Sequence, residues 1–192
     1  VVLVGINHRL NVFGYTYLAE LASKYADSGN VGQLDLIAAL RWVQGNIANF
    51  GGDPQNVTIF GESGGGAKVS TLLAMPAARG LFRRAIIESG SMLAVRTKEA
   101  AVADTQALLA KLSIKSTDVS RLMTLSAEDL LGAAASLPGS AGGGAMFRPV
   151  VDGRSIPRQT WQAGAPPEAA GVSMIIGNCK DESTLFAMSD PA

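Results

Sequence analysis

Val57-Thr58-Ile59-Phe60-Gly61-Glu62-Ser63-Gly64-Gly65-Gly66-Ala67-Lys68-Val69 decides how this chain is read. Asn56–Phe60 is a short run with β-branched and apolar residues, which predicts a buried strand. Gly61–Gly65 predicts a tight turn. Ala67–Met75 predicts a helix, closed by Pro76. The turn itself, Gly61-Glu62-Ser63-Gly64-Gly65, fits the pattern G-x-S-x-G. Between a strand and a helix that pattern is a nucleophile elbow: a serine on a sharp, strained turn, with small neighbours that let backbone approach backbone, holds its hydroxyl out at the carboxyl edge of a sheet. The backbone N–H of Gly64 and the helix N-terminus behind it then face any oxyanion that forms on a bound carbonyl. The bland alternative is a glycine-rich turn carrying a surface serine, and the strand before and helix after it favour the elbow. A phosphate-binding loop needs lysine directly after its last glycine and a hydroxyl residue next. Here Gly66 is followed by Ala67, Lys68 and Val69, so the lysine comes one place late and no hydroxyl follows.

Outward from the turn, strand and helix signals alternate. Val1–Asn7 is a continuous apolar run, as in a strand buried on both faces of a parallel sheet. Val31–Phe50 predicts a helix with Leu36, Leu40, Val43 and Ile47 on one face, stopped by Gly51-Gly52-Asp53-Pro54. Arg84–Glu88 predicts the next strand. This order builds an α/β fold with a mostly parallel central sheet. The middle of the chain differs: Lys98–Leu112 and Ser126–Ala135 predict alanine- and leucine-rich helices, the second opened by a capping box at Ser126-Ala127-Glu128-Asp129. Pro138–Gly144 predicts a loop, and Met174–Gly177 a return to a buried strand, followed by Asn178-Cys179-Lys180-Asp181-Glu182.

Composition narrows the function. The 192 residues carry 16 basic and 16 acidic side chains and no net charge, with 47% hydrophobic residues. No basic stripe points to a nucleic-acid partner, and no apolar run approaches the ~20 residues of a membrane span. The single cysteine, Cys179, excludes an internal disulfide and any multi-cysteine zinc site. It reads as a buried, inert thiol. Trp42 and Trp161 sit where packing residues sit. One histidine, His8, is available for histidine-dependent chemistry.

Six motifs occur in order: Asn7-His8-Arg9-Leu10, Trp42-Val43-Gln44-Gly45-Asn46-Ile47, Phe50-Gly51-Gly52-Asp53-Pro54, Val57 to Ser63, Glu88-Ser89-Gly90-Ser91 and Lys180-Asp181-Glu182. Together they resemble the type-B carboxylesterase/lipase family, the α/β-hydrolases that include the cholinesterases. The likeness is dense over Val1–Ser91 and again over Phe147–Phe186. It implies a partial α/β-hydrolase domain over residues 1–192, with a sheet core at 1–91 and 147–186 and a helical insertion at about 92–146. It also implies a serine hydrolase acting through an acyl-enzyme on a small-molecule carboxylic ester, without metal or organic cofactor. Ser63 takes the nucleophile's place, Gly64 that of an oxyanion donor, and Glu62 lines the substrate pocket. Glu182 takes the place of the acid that orients a histidine, with Asp181 as the neighbouring candidate. Ser89 falls in a polar layer near the site.

The resemblance also sets expectations about what is missing. The family's histidine is expected beyond Ala192 and its glycine-rich oxyanion loop before Val1. His8 stands where the family usually has tyrosine, and reads as a packed loop residue instead of a general base. Without a base, a serine hydroxyl is a weak nucleophile. The chain also opens mid-strand without methionine, so a piece of a longer protein is expected, inactive and poorly folded by itself. The alternatives are a non-catalytic binding or adhesion relative of the same fold, or a truncated inactive fragment.

Overall fold

The computed structural model describes residues 1–138, 146–182 and 184. Its elements in chain order are α1 (Asn11–Tyr15), α2 (Val31–Asn46), β1 (Thr58–Glu62), α3 (Gly64–Leu72), β2 (Arg84–Glu88), α4 (Lys98–Lys111), α5 (Ala127–Ala135) and β3 (Ser173–Gly177), with short 3-10 turns between them. The chain divides into two compact units. One holds Val1–Ile6, Ile37–Ala94 and Gln159–Ala192, the other Asn7–Leu36 and Val95–Arg158. Helix α2 passes from the second unit into the first.

The first unit contains the sheet, an α/β arrangement of three parallel strands in the order β1-β2-β3. Parallel neighbours need a crossover, and α3 supplies the one between β1 and β2. Val69 of α3 and Leu73 at its C-terminal end pack on Ala85 and Ile87 of β2 and on Ala169, with Ile59, Phe82, Trp161 and Val172 around them. Leu73 and Ile87 are buried almost completely, and burial of side chains of this size contributes about 1.5–3 kcal/mol each. The Trp161 indole N–H donates to the carbonyl of Ser70 at 2.9 Å, so this ring is a packing residue with its polar atom satisfied. Trp42 is half-exposed and lies against Phe50, ring centroids 5.8 Å apart.

The second unit is mainly helical. Thr97 caps α4 by accepting from the N–H of Ala100, and Ser126 caps α5 by accepting from that of Asp129. The expected capping box takes a different form: the Asp129 carboxylate accepts from the Ser126 hydroxyl at 2.6 Å. Leu108 joins Val12, Tyr15, Ala133, Ala134, Leu137 and Phe147 in one core cluster; Leu109, on the adjoining face of α4, joins Leu18, Ile114, Val119 and Leu122 in another. Asn30, fully buried, clasps the backbone of Val150: its Nδ2 donates to the carbonyl at 2.8 Å and its Oδ1 accepts the N–H at 2.9 Å.

Several boundaries move from the sequence reading. Strand β1 ends at Glu62, two residues later than expected, and α3 begins at Gly64, three residues earlier. The turn is therefore a single residue wide. Val1–Asn7 is not a strand: it has no regular structure and its apolar side chains are exposed. A parallel strand exists only against a neighbour that takes up its N–H and C=O groups, and none of β1, β2 and β3 pairs with this segment. Most of the Pro138–Gly144 loop lies outside the described residues.

Replacing Asn30 by Ala removes the partner of two buried backbone groups at once. Urea unfolding is expected to show a loss of about 2–4 kcal/mol, with hydrogen exchange at the Val150 amide accelerated even under conditions where the chain stays folded.

Candidate active site

Ser63 is the one residue between β1 and α3, and its backbone takes φ 51° and ψ −116°. A non-glycine residue held in such a region costs on the order of 1–3 kcal/mol and persists only when its surroundings fix it. Three contacts fix it here. The Ser63 N–H donates to the carbonyl of Glu88, at the end of β2, at 2.8 Å. The Ser63 carbonyl accepts from Ala67 N–H at 3.0 Å, the first turn of α3. And Gly90 lies against that same carbonyl so closely that a Cβ on it would fall 2.1 Å from the oxygen. Gly61 is small for a related reason: a Cβ there would meet the backbone carbon of Gly65 at 2.4 Å. The glycines before and behind the serine are thus imposed by backbone-to-backbone contact. Ser63 and Gly64 are exposed, and the first N–H groups of α3 have no partner within the helix.

The strand register brings the other site residues to the same edge. Glu62 pairs with Glu88, and Glu88 with Gly177. Ser63, Ser89 and Asn178 are therefore the next residues past the carboxyl ends of three adjacent strands, the edge at which open parallel sheets bind ligands. The strands leading to Ser63 and Glu182 are two spacings apart, roughly 10 Å. Ser89, with φ 50°, ties β2 to β3 by donating its N–H to the carbonyl of Gly177 at 2.8 Å.

After β3 the chain turns back on itself, and the Glu182 Oε1 accepts from the backbone N–H of Cys179 at 2.7 Å. The Ser89 side chain also hydrogen-bonds this carboxylate. The Ser89 bond first, and the Cys179 N–H second, hold the Glu182 carboxyl below the usual glutamate range, against a small opposing desolvation. Both bonds favour the ionised form. Asp181, one residue earlier, is exposed. Glu62 ends β1 with an exposed side chain. Cys179 is exposed, not buried as its sequence setting suggests, because among the described residues β3 is an edge strand, with all five positions open. His8 belongs to the other unit and is half-buried, with its Nε2 shielded from solvent.

One neighbour of the serine escapes a motif search. Lys68 Nζ donates to the Gly64 carbonyl at 3.1 Å. The signal in the sequence is the four-residue spacing of Gly64 and Lys68, which puts both on one face of α3. Among the described residues, no group of three or more His, Cys, Asp or Glu side chains is arranged to hold a metal ion.

A parallel sheet whose strand passes through a single left-handed serine into a helix, with the hydroxyl at the carboxyl edge, defines an α/β-hydrolase. Comparison with known proteins gives the family within that class. The Carboxylesterase family model matches residues 1–192, and the chain belongs to that family. Para-nitrobenzyl esterase of Bacillus subtilis (strain 168) is 44% identical over 193 residues, covering 99% of this chain and 39% of the relative. Liver carboxylesterase of Sus scrofa is 55% identical over 95 residues, 50% of this chain and 16% of the relative. The crystal structure of a Geobacillus stearothermophilus carboxylesterase superposes with a TM-score of 0.87 at 49% identity, over 96% of this chain and 38% of that one. The chain thus spans about two fifths of the length of its bacterial relatives.

Two glycines near Ser63 are expected to respond in opposite ways. Gly90→Ala forces a methyl into the Ser63 carbonyl and destabilises by about 1–3 kcal/mol or more. At Gly65, by contrast, nothing lies within 4 Å of the added carbon, and Gly65→Ala gains up to about 1 kcal/mol of helix propensity. Thermal melts of the two variants read the contrast. Titration followed by NMR is expected to find the Glu182 carboxyl below the ordinary glutamate range, and Ser89→Ala to move it upward. Because the folded pKa is the depressed one, this group's contribution to stability is present above the unfolded value, about 4.3, and is lost as pH falls through the folded value.

Proposed function

We propose that this chain carries the nucleophile and the acid of a serine carboxylic-ester hydrolase that works through an acyl-enzyme. The observation that carries the reading is the left-handed Ser63 at the carboxyl edge of the sheet, φ 51°, directly followed by the open N-terminus of α3. Support also comes from relatives named as esterases over nearly the whole chain.

In this mechanism the Ser63 Oγ attacks the ester carbonyl carbon. Its proton passes to a histidine that the family resemblance places outside residues 1–192, since His8 is half-buried with its Nε2 shielded from solvent. The carbonyl π pair moves onto oxygen, where the Gly64 N–H and the N-terminal end of α3 meet the developing charge. Collapse of the intermediate breaks the bond to the alcohol, which leaves with the proton from the imidazolium. Water then repeats the sequence on the acyl-serine, with the same base, and releases the carboxylic acid. Glu182, kept ionised by Ser89 and Cys179, orients the imidazole and stabilises its charged form. Asp181 lacks that pair of bonds. Glu62, exposed beside the nucleophile, lines the mouth of the pocket.

The test is intact mass spectrometry of the full-length protein before and after a fluorophosphonate, which modifies only activated serines. One adduct, mapped to Ser63 and absent in Ser63→Ala, is the expected result. Glu182→Gln should retain Ser63 but slow ester turnover by about 10³-fold or more. A full-length protein that takes up no adduct and hydrolyses no ester is instead the non-catalytic relative.

A further inference from the structure

Lys68 stands out because its charge runs against the local field. The N-terminal end of an α-helix is already positive, and cations there are ordinarily unfavourable. Yet Lys68, one turn into α3, sends its ammonium back toward that end, where Nζ donates to the carbonyl of Gly64 at 3.1 Å. The ammonium lies alongside Gly64 itself: a Cβ there would sit 3.7 Å from Nζ, ordinary contact distance. Covalent geometry then puts the ammonium within about 7 Å of the Gly64 nitrogen, the donor assigned to the oxyanion.

We infer that Lys68 is a further electrostatic residue of the ester-hydrolysing site, its ammonium held on the first turn of α3 to add a fixed positive charge behind the Gly64 N–H that receives the oxyanion. The inference rests on the function proposed for Ser63. An oxyanion bound at about 3 Å from the Gly64 nitrogen lies within about 10 Å of Nζ, close to one Debye length at physiological salt. The charge develops only in the tetrahedral intermediate, so the attraction acts on the reacting state and not on the neutral ester, and belongs in kcat and not in KM. Half-burial of the side chain is consistent with this role. It pulls the Lys68 pKa down through desolvation, and an anion forming nearby offsets that cost at the moment of reaction. Lys68 acts through space on the oxyanion and through its hydrogen bond on Gly64, and takes no part in proton transfer.

The experiment compares wild type, Lys68→Met and Lys68→Arg in the full-length protein, with a neutral p-nitrophenyl ester and a neutral fluorophosphonate. Met keeps the length and helix propensity of the side chain and removes the charge. Lys68→Met is expected to lower kcat and the rate of Ser63 modification by about 3–10-fold, with KM within about twofold and the melting temperature nearly unchanged. Lys68→Arg should recover most of the loss, and raised salt should shrink the gap between wild type and Lys68→Met. Equal kcat in wild type and Lys68→Met overturns the inference, as does an arginine variant as slow as the methionine one. A wild type that is inert toward both reagents overturns the proposed function and this inference with it, whereas an active wild type unaffected by Lys68→Met overturns only the inference.

Discussion

The carboxyl edge of this sheet is organised around one strained residue. Ser63 has φ 51°, a conformation that side-chain-bearing residues rarely adopt, and the cost is met by contacts from three directions. Strand β2 takes its N–H, helix α3 takes its carbonyl, and Gly90 presses against that carbonyl with no side chain between. Each contact removes one way for the turn to relax. Moving the serine out of its left-handed conformation means breaking the bond to Glu88 or unwinding the first turn of α3. The glycines at 61 and 90 follow from this one requirement, because a side chain at either place would collide with backbone. The strain therefore accounts for the local sequence as much as the sequence accounts for the strain.

The charges at the same edge are ordered by hydrogen bonds to backbone and hydroxyl groups. Glu182 keeps its negative charge because a backbone N–H and the Ser89 side chain both favour the carboxylate form. Ser89 in turn is placed by its own N–H bond to Gly177, which joins the ends of β2 and β3. An acid that is to steady an imidazolium needs both features, a fixed position and ionisation at neutral pH. On the other side of the edge, Lys68 and the N-terminus of α3 supply positive potential beside Ser63. The acid thus follows β3, and the cation sits on the helix that follows β1.

Much of this was legible in the residues. The apolar run ending at Phe60 and the glycines around Ser63 announced a strand, a sharp turn and a helix, and Arg84–Glu88 was read with its final boundaries. Serine spacing cannot show that the turn is one residue wide, since helical φ and ψ can begin at Gly64 as easily as at Ala67. Val1–Asn7 departs from its sequence pattern for a general reason: an apolar run is compatible with a buried strand, but strand formation depends on a partner strand. The exposure of Cys179 likewise follows from β3 being an edge strand among the described residues, which no local pattern encodes. Asn30 and Val150, 120 residues apart, form another such non-local pair.

The stability of the sheet and the geometry of the site rest on different contacts. Parallel sheets are ordinarily covered on both faces, and here Phe60, Ile175 and Ile176 are each more than half exposed. Those open positions lie within the strands. The contacts that set Ser63 lie at the carboxyl ends of β1 and β2 and just past them, within residues 61–90, while those that set Glu182 add only Gly177 and Cys179. Every one is a backbone bond, a glycine contact or the Ser89 hydroxyl, and none needs the exposed faces to be covered. Covering those faces adds apolar burial and raises the free energy of unfolding, but it does not define the turn. Substitutions on the open faces should therefore act mainly on how long the site persists, and substitutions at Gly61, Ser89 or Gly90 on what the site is.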